Sequence, residues 1–484
     1  MVERNIIRFY VGKQLCELRE FTPHLTLLEW LRVHYGRTGC KEGCNEGDCG
    51  ACTVCIIHKT DAGDLQWKAV NACIALVGSL DSVQIFTIED VKKTDGSLHI
   101  IQQAMIDHHG SQCGFCTPGF IMSMLVYIAT EKKYDVERLS QALSGNLCRC
   151  TGYSPMKKAM AEIYEQKLTQ EYLSSFQAME ETVKKRLQQL EDKQNIEILG
   201  VEGRFSAPYH SDFFAHLYQT HPDALLVAGG SDVGLWITKK LQKYVHIIVL
   251  NRVADFKVIS LTKDQSLFMG AGVTFKQALP VLSDYFPALR DFFYQIAGEQ
   301  VRSVATLCGN IANASPIGDG PPVFIALGAK LHLRCGQEKR TLLLEEYFID
   351  YGQQDRKPGE FIEGLSIPLS ASHSKMAAYK ISKRMQQDIS TLAGVFTLHR
   401  DKTGRIKDIR LAFGGMAAVP KRALHAESAL RGQVWGKQQL FAAQQALHKD
   451  FKPLSDVRAS SWYRLEVAKN LLAQFYMEDT GVIL

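Results

Sequence analysis

The segment "CKEGCNEGDCGACTVC", residues 40–55, places five cysteines within sixteen positions of the chain. Cys44, Cys49 and Cys52 follow the spacing C-x4-C-x2-C, which is the ligand pattern of a plant-type [2Fe–2S] cluster. The pattern requires one more cysteine further along, and Cys73, twenty-one residues after Cys52, is the candidate. The glycines between these thiols let the backbone curl so that amide N–H groups point at sulfur, where they tune a reduction potential.

Two other metal sites compete for the same cysteines. Cys49, Cys52 and Cys55 spell C-x2-C-x2-C, the beginning of a bacterial [4Fe–4S] pattern, but the fourth cysteine and its proline are missing. A four-cysteine zinc site usually uses two short pairs, and Cys73 has no close cysteine neighbour. The spacing favours [2Fe–2S], with zinc as the alternative. The remaining thiols of this region are predicted to be ordinary buried residues rather than ligands: Cys16, Cys40 and Cys55.

A second cysteine set follows as two close pairs. Cys113-x2-Cys116 lies in "SQCGFCTPGF", and Cys148-x-Cys150 lies in "NLCRCTGY". Pro118 suits the first turn of a helix, and the positive end of that helix dipole favours an anionic cluster. Two thiolates only two positions apart are cramped on one tetrahedral zinc but can bind one iron. The spacing alone leaves the metal of this second set undecided.

The length and composition define the general class of protein. A chain of 484 residues predicts about three domains, and 46% hydrophobic with 22% charged residues is ordinary for a globular protein. A net charge of +5 without a compact Lys/Arg block argues against nucleic acid or anionic membrane as partners. No signal peptide, transit peptide or apolar run of about 18 residues is present, so a cytoplasmic protein is expected. Eleven of the 13 cysteines precede residue 151, which in that compartment indicates metal binding rather than disulfides.

The hydrophobic pattern changes along the chain. Residues 1–90 alternate like a small α+β unit, with a hairpin turn at Gly12-Lys13, and residues 91–165 contain four short helical segments that predict a bundle. A polar linker follows, and strands and helices alternate after it. In "ALLVAGGSDVGLWI", residues 224–237, a buried strand precedes small residues whose N–H groups can approach a pyrophosphate. The stretch is not G-x-G-x-x-G, and a Gly-Gly pair taken alone more often marks a tight turn.

Five motifs in order resemble those of the molybdenum hydroxylases, the xanthine dehydrogenase/aldehyde oxidase family. They are "GCNEGDCGAC", "QCGFCTPG", "NLCRCTGY", "LLVAGGSDVG" and "SVATLCGNIANASPIGD". The layout is similar to the small iron–sulfur/FAD subunit of two-subunit bacterial members. The resemblance implies an α+β multidomain fold with these parts: a plant-ferredoxin-like β-grasp domain at 1–90, a four-helix [2Fe–2S] bundle at 91–165, a linker at 166–196, an α+β FAD-binding domain of the vanillyl-alcohol-oxidase/PCMH type at 197–373, and a C-terminal α+β flavoprotein domain at 374–484.

The resemblance also assigns site residues. It implies two [2Fe–2S] clusters, one nearer the flavin and one nearer molybdenum, held respectively by Cys44, Cys49, Cys52, Cys73 and by Cys113, Cys116, Cys148, Cys150. Gln112 matches a residue that contacts the molybdopterin across the subunit interface. The implied FAD contacts are Leu226, Val227, Ala228, Gly229, Gly230, Ser231, Asp232, Val233, Ile296, Thr306, Gly309, Asn310, Asp319 and Lys380. Ile296 replaces an aromatic residue that flanks the flavin in animal relatives, which puts a stacking role in doubt.

The function that the resemblance implies is electron transfer. Electrons from a molybdenum cofactor on a partner large subunit would pass through both clusters and FAD to NAD+, during oxidation of hypoxanthine and xanthine to urate. Asp388, in "KRMQQDISTL" at 383–392, matches the loop that controls NAD+ access, although Gln387 replaces a second acidic residue. The alternatives are an aldehyde or N-heterocycle hydroxylase, an acceptor other than NAD+, a stand-alone NADH reductase, and a zinc scaffold. A heterodimer or a dimer of heterodimers is expected, with no catalytic residue on this chain.

Overall fold

A computed structural model describes residues 3–60, 62–93 and 95–482. The predicted domains also include residues 1–2, 61, 94 and 483–484, which lie outside the described residues. The chain packs as two compact units. Unit 1 combines the chain up to His210 with Ala224–Val253 and Gly298–Ala305. Unit 2 combines Ser211–Asp223, Ala254–Ala297 and the chain from Thr306 onward. Residues 197–373 therefore contribute to both units.

Unit 1 begins with a mixed five-stranded sheet. The predicted hairpin at Gly12-Lys13 is confirmed, and its first strand also pairs in parallel with a strand that lies more than seventy residues later. The helix Leu27–Glu29, continued by the π-turn Trp30–His34, packs on this sheet, with Trp30 edge-on to Phe9. The strands in spatial order are Gln14–Leu18, Ile7–Val11, Gln84–Phe86, Thr53–Lys59 and Leu65–Asn71. This order is that of a β-grasp sheet.

A helical region follows the sheet in unit 1. Its central helix, Thr117–Thr130, is buried continuously from Gly119 to Tyr127, as expected for a helix that is apolar on all sides. The polar linker contains a long helix, Gln170–Leu190, which buries only one narrow apolar stripe. The four predicted bundle helices are present as Ile100–Asp107, Thr117–Thr130, Val136–Ala142 and Ser154–Glu162, the last continued by the π-turn Ile163–Lys167. Short 3-10 turns are Val77–Leu80 and Ile88–Asp90.

A second sheet completes unit 1. The chain's first strand, Glu3–Arg4, pairs in parallel with Asn195–Ile196, so the N-terminal residues join a sheet built almost 200 positions later. The order is Glu3–Arg4, Asn195–Gly200, Gly203–Ala207, His246–Val249 and Leu225–Val227. Helices Val233–Thr238 and Glu299–Arg302 also belong to this unit. The iron–sulfur candidate region and part of the flavin candidate region therefore share one compact body.

Unit 2 contains two larger antiparallel sheets and a small one. The five-stranded sheet has the order Ile259–Leu261, Ser266–Gly270, Phe361–Pro368, Lys330–Cys335, Glu338–Leu343. The four-stranded sheet has the order Lys375–Ile381, Leu392–Arg400, Ile406–Gly414, Lys421–Arg422. The two-stranded sheet pairs Phe348–Asp350 with Gln353–Gln354.

Helices cover the sheets of unit 2. The core of the C-terminal part joins Phe396 and Phe413 of the sheet to Leu472 and Phe475 of the last helix. The helices are Ser211–Thr220, Phe275–Tyr285, Arg290–Gln295, Leu307–Ala312, Gly320–Ala326, Leu344–Tyr347, Leu424–Leu430, Lys437–Asp450 and Ser461–Thr480, with 3-10 turns Ala254–Lys257, Pro287–Leu289 and Leu369–His373. Among the described helices, none combines the length and apolarity that crossing a membrane requires.

Candidate functional site

The first cysteine loop curls around its own sulfur atoms. The N–H groups of Asp48 and Cys49 each donate to Cys44 Sγ at 3.3 Å, and the N–H of Cys44 donates to Cys49 Sγ at 3.3 Å. Gly47 and Gly50 have φ values of 79° and 69°, which glycine adopts without strain. The loop therefore presents backbone donors to sulfur, as the glycine spacing predicts.

Cys73 joins this loop from the turn after strand Leu65–Asn71. Its Sγ lies 3.3 Å from Cys52 Sγ, and the two residues are 1% and 2% exposed. Hydrogen bonds to Cys44 and Cys52 raise the pKa of the Cys73 thiol, so its sulfur lies near both of these residues. Cys44 in turn lies beside Cys49. The structure thus brings together the four thiols of the first set (Cys44, Cys49, Cys52 and Cys73).

The predicted non-ligand cysteines have other surroundings. Cys40 Sγ donates to the carbonyl oxygen of Cys52 at 3.2 Å, and burial is the main cause of its raised pKa. Cys55 is fully buried in the strand Thr53–Lys59 and packs within the core of the helical region. Both side chains are thus accounted for by packing and hydrogen bonding within the protein.

The second cysteine set lies at the start of the central bundle helix. Cys116 immediately precedes Thr117–Thr130, and Pro118 occupies the first turn of this helix as expected. Cys113 Sγ and Cys150 Sγ are 3.7 Å apart, and both residues are exposed. Burial and a hydrogen bond with Cys148 raise the pKa of Cys116 to about 12. The second set is therefore also assembled, but at an open surface.

The thiols of both sets approach one another in pairs. In the part of the chain that the structure describes, no group of three or more His, Cys, Asp or Glu side chains is arranged so that it could hold one metal ion. A [2Fe–2S] cluster, in contrast, needs two thiolates on each of two irons. The chemistry of these donors and the backbone N–H groups around the first set fit such a cluster better than one zinc ion.

Hydrogen bonds join the two cysteine loops directly. The N–H of Leu147, the residue before Cys148, donates to the carbonyl oxygen of Cys49 at 2.9 Å. Asn146 Nδ2 donates to the carbonyl oxygen of Gly50 at 3.1 Å. The two candidate clusters would therefore lie next to each other inside unit 1.

Gln112 lies beside the second set. Its Nε2 donates to the carbonyl oxygen of Cys150 at 3.1 Å, which fixes the side chain next to the exposed thiols. The molybdopterin contact of Gln112 stays a prediction. What the structure adds is a local role, since the hydrogen bond ties the Cys113 loop to the Cys150 loop.

The first flavin loop, residues 226–233, lies in unit 1. Leu226 and Val227 end a strand, and Val233 begins a helix, so residues 228–232 form the turn between them. A Cβ at Gly229 would lie 2.0 Å from the carbonyl oxygen of Val304, and Gly230 has φ of 71°. Gly229 has no room for a side chain because the backbone of Val304 lies against it, and the positive φ of Gly230 favours glycine.

This flavin loop is built directly onto the first cysteine loop. A Cβ at Gly234 would lie 2.6 Å from Ile74 Cβ, and Ile74 is the residue after Cys73. Thr238 Oγ1 donates to the carbonyl oxygen of Asn45 at 2.8 Å. The helix Val233–Thr238 thus contacts both chain segments that carry the first thiol set.

The second flavin segment lies in unit 2. Thr306 caps the helix Leu307–Ala312 by accepting from the Gly309 N–H at 3.0 Å. The buried Asn310 Oδ1 has no hydrogen-bond partner among the described residues, and a Cβ at Gly320 would lie 2.4 Å from it. An orphaned acceptor beside a glycine fits a ligand hydroxyl group, since buried polar atoms are otherwise paired.

Asp319 is fixed by two partners in unit 2. Lys380 Nζ donates to its Oδ2 at 2.8 Å and to the carbonyl oxygen of Gln295 at 2.9 Å, and Ser390 Oγ donates to its Oδ1 at 2.5 Å. The Lys380 side chain is fully buried. These contacts orient the carboxylate that the resemblance assigns to the hydroxyls of FAD. Ile296 is buried at 6% exposure.

The loop proposed to control NAD+ access is closed by its acidic residue. Asp388 Oδ2 accepts from the N–H groups of Lys383 and Arg384 at 3.0 and 3.1 Å, and Gln387 has φ of 66°. The carboxylate therefore shapes the turn.

Sequence reasoning missed several residues that fix these sites. Asn71 Nδ2 donates to the carbonyl oxygen of Gly47 at 2.7 Å and fastens the first cysteine loop. Ser390 lies within the quoted segment 383–392, so its proximity to a flavin contact was within reach of the motif comparison. Ile74 follows a predicted ligand, but nothing in its surroundings marks it in the sequence. Gln300, which contacts residues beside both cysteine loops, is marked by no motif or pattern in the sequence around it.

Three family models match the chain. The [2Fe-2S] binding domain matches residues 87–161, the FAD binding domain in molybdopterin dehydrogenase matches 202–370, and the CO dehydrogenase flavoprotein C-terminal domain matches 377–479. The first matched segment precedes the linker helix, and the other two cover most of the chain after it.

Curated relatives match almost the whole chain. It is 30% identical to xanthine dehydrogenase of Emericella nidulans over 98% of this chain and 38% of that protein. It is 29% identical to xanthine dehydrogenase/oxidase of Gallus gallus over 90% of this chain and 37% of the relative. It is 27% identical to aldehyde oxidase 2 of Macaca fascicularis over 98% of this chain and 39% of that relative. The chain thus spans less than two fifths of the length of these relatives.

Solved structures share the fold of part of the chain. Quinoline 2-oxidoreductase from Pseudomonas putida 86 aligns with a TM-score of 0.51 and 22% identity, over 56% of this chain and 94% of the matched chain. Carbon monoxide dehydrogenase from Hydrogenophaga pseudoflava aligns with a TM-score of 0.52 and 24% identity, over the same shares of 56% and 94%. At these identities the comparison establishes a common fold.

Proposed function

Because this chain belongs to the molybdenum hydroxylase family, of which it matches the iron–sulfur and flavin part, we propose that it carries electrons from a molybdenum site on a partner chain to FAD. We propose the first thiol set (Cys44, Cys49, Cys52, Cys73) and the second (Cys113, Cys116, Cys148, Cys150) as ligands of two [2Fe–2S] clusters. The xanthine dehydrogenase relatives support xanthine as a substrate of the whole enzyme. We propose hypoxanthine as a second substrate and NAD+ as the acceptor.

One observation carries this proposal, namely the continuous contact between three candidate cofactor loops. The Leu147 N–H reaches the Cys49 carbonyl oxygen at 2.9 Å, and the helix at Gly234 packs on Ile74 beside Cys73. A zinc scaffold has no need for the flavin loop to be built onto a cysteine loop. Flavin bound there would supply the exchange between one-electron and two-electron steps that a relay of this kind requires.

Exposure gives the relay its direction. Cys113 and Cys150 are exposed, whereas Cys52 and Cys73 are almost fully buried. An open cluster can receive electrons from a partner that covers it, while the buried one is reached only through the protein. We therefore propose that the molybdenum-bearing partner docks at the second set, and the position of Gln112 beside Cys150 supports this. Heterodimer formation and a cytoplasmic location stay predictions.

Each candidate cofactor is held by residues with a defined task. The backbone N–H groups of Asp48 and Cys49 face the Cys44 sulfur and stabilise its negative charge. The glycine turn at Gly229 would offer backbone N–H groups to the pyrophosphate of FAD. Asp319, held by Lys380, is oriented to accept from hydroxyl groups. No general base for substrate oxidation is proposed on this chain.

A second candidate function is the same electron transfer in an enzyme for aldehydes or N-heterocycles. The aldehyde oxidase 2 relative, at 27% identity, supports this second candidate function. Substrate selection would take place at the partner's molybdenum site, so this chain is compatible with either substrate. An acceptor other than NAD+ is the corresponding alternative at the Asp388 loop.

Co-purification from the native host tests the proposal. The complex that contains this chain is assayed on a panel of purines, aldehydes and N-heterocycles, with NAD+ and O2 as acceptors. We expect xanthine-dependent NADH formation together with a molybdenum-containing partner. Hydroxylation of purines by this chain alone, without molybdenum, would show the proposal to be wrong.

A further inference from the structure

A buried amide lies behind both cysteine loops. Gln300, on the short helix Glu299–Arg302, is 1% exposed. Its Nε2 lies 3.1 Å from Thr53 Oγ1, 3.2 Å from Ser123 Oγ and 2.9 Å from Asn146 Oδ1. These three partners are each 1–2% exposed and come from three different elements of unit 1. Burying four polar side chains together is costly unless they pair. The pairing here runs through Gln300 Nε2, while Gln300 Oε1 is buried without a hydrogen-bond partner among the described residues.

The partners of Gln300 are attached to the cysteine loops. Thr53 directly follows Cys52, and its Oγ1 donates to the carbonyl oxygen of Gly50 at 2.6 Å. Asn146, two residues before Cys148, donates from Nδ2 to the same carbonyl oxygen at 3.1 Å. One carbonyl of the first loop thus accepts from both sides of the amide cluster.

Three glycines make room for this arrangement. A Cβ at Gly50 would lie 2.1 Å from the carbonyl oxygen of Gly145, and a Cβ at Gly119 would lie 2.1 Å from the carbonyl oxygen of Gly50. A Cβ at Gly145 would lie 1.7 Å from Gln300 Oε1. The backbones of the first loop, the central bundle helix and the second loop are therefore in direct contact around the amide, without intervening side chains.

The same segment that carries Gln300 reaches the flavin loop four residues later. The carbonyl oxygen of Val304 occupies the space where a Cβ of Gly229 would be, at 2.0 Å from that position. Gln300 and Val304 belong to the stretch Gly298–Ala305, which is part of unit 1. This stretch contacts all three candidate cofactor loops, two through Gln300 and one through Val304.

We propose that Gln300 is a positioning residue that sets the separation of the two cysteine loops and ties it to the flavin loop at Gly229. This inference rests on the proposed function, and it adds a device that none of the cysteine or flavin motifs contains. The amide acts through Thr53, Ser123 and Asn146 and touches no cofactor itself. Its consequence is a fixed distance and a fixed electron distribution between the two clusters.

The test measures the two clusters in the full chain, with Gln300→Leu compared with Gln188→Leu. Gln188 is exposed on the linker helix, so the same chemical change there is a matched control. Iron and flavin are quantified first. The midpoint potentials and the magnetic interaction between the reduced clusters are then followed by electron paramagnetic resonance during redox titration.

We expect Gln300→Leu to keep its iron but to change the magnetic interaction between the clusters. It should shift the distribution of one electron between them about tenfold, which is about 59 mV for a one-electron couple. The reason is that the two N–H groups of Gln300 Nε2 no longer donate into the buried cluster of Thr53, Ser123 and Asn146, and the loops relax around it. Potentials and splitting identical to those of Gln188→Leu would overturn the inference.

Ser123→Ala provides the milder variant if Gln300→Leu fails to assemble its clusters. It removes one hydroxyl that contacts both Gln300 and Asn146. We expect a smaller shift in the same spectroscopic signal, and an unchanged signal would overturn the inference. In the double variant with Gln300→Leu, the two effects should be less than additive. A wild-type chain that binds no iron would instead refute the proposed function, independently of Gln300.

Discussion

At the scale of single residues, the first cysteine loop offers a matched pair of thiols. Cys44 is a proposed ligand, whereas Cys40 is a nearby buried thiol that donates to a backbone carbonyl. We expect Cys44→Ser to lose one cluster, and with it half of the iron, because ligation is coupled to folding of the loop. Iron quantification and visible absorption measure the loss. Cys40→Ser is the control and should keep the full complement. An unchanged iron content in Cys44→Ser would contradict the assignment.

Lys380 allows a test of the second flavin segment. The fully buried Lys380 side chain fixes Asp319, so Lys380→Met should leave that carboxylate held by Ser390 alone. Hydrogen bonds to charged groups are worth about 1.5–3 kcal/mol, and we therefore expect the Kd for FAD to rise about tenfold or more. Flavin retention after gel filtration and titration of the apoprotein measure it. Lys407→Met, at an exposed strand position, should bind FAD like the wild type. Equal affinity in both variants would remove Lys380 from the site.

At the scale of elements, a histidine begins the first bundle helix. His99 Nδ1 accepts from the Ile101 N–H at 3.3 Å, and its Nε2 lies 3.2 Å from the hydroxyl of Tyr172 on the linker helix. Burial, together with the charge of Lys93, lowers the pKa of His99 from 6.5 to about 4. The helix cap therefore depends on a neutral imidazole, and it joins the bundle to the linker.

The lowered pKa of His99 predicts a pH dependence of stability. The unfolded chain binds this proton more readily than the folded one, so the contribution of His99 is complete above pH 6.5 and is lost as the pH falls toward about 4. Urea unfolding across this range should show that the free energy of unfolding decreases as the pH falls from 6.5 toward 4. His99→Gln should lose part of this dependence. His34→Gln, at an exposed position, should retain it. A pH profile of His99→Gln identical to wild type would contradict this role.

Elements with a local signature were predictable from the sequence, whereas those defined by distant partners were not. The hairpin at Gly12-Lys13, the four bundle helices and the glycine turn at Gly229 follow from periodicity and turn residues. The strand Glu3–Arg4 has two residues and no periodicity, and only its partner Asn195–Gly200 makes it a strand. The polarity of the segment predicts a linker. Its helix, Gln170–Leu190, buries only a few residues, so little in the sequence predicts that it is helical.

The candidate site shows the same division. Spacing identifies the cysteines because cluster geometry constrains it directly, and the resemblance supplies the flavin contacts. Ser390 lies inside a quoted motif segment, but the other residues that hold these groups in place (Asn71, Ile74 and Gln300) could not be identified, since each acts on a group far away in sequence. Gln300, for example, contacts Thr53 across 247 positions. Such partners are determined by tertiary packing and leave no local pattern.

At the scale of the whole molecule, unit 1 combines both cysteine sets with the first flavin loop. A buried ion cluster supports this combination, since Asp81 pairs with Arg4 at 2.6 Å and also with Arg252. Asp81 is fully buried, so each arginine compensates a charge that would otherwise be costly. The N-terminal strand, the β-grasp sheet and the segment after strand His246–Val249 are thereby held in one body, which suits a relay that depends on fixed distances.

The measurement that tests the central claim most directly is the cofactor content of the full chain purified under anaerobic conditions. Iron, acid-labile sulfide, zinc and flavin are quantified on one sample, and electron paramagnetic resonance is recorded after reduction with dithionite. The account predicts a brown protein with FAD, with two irons and two sulfides for each of two clusters, and with two distinguishable reduced signals. A colourless chain that contains zinc, or one with a single iron–sulfur signal, would contradict it.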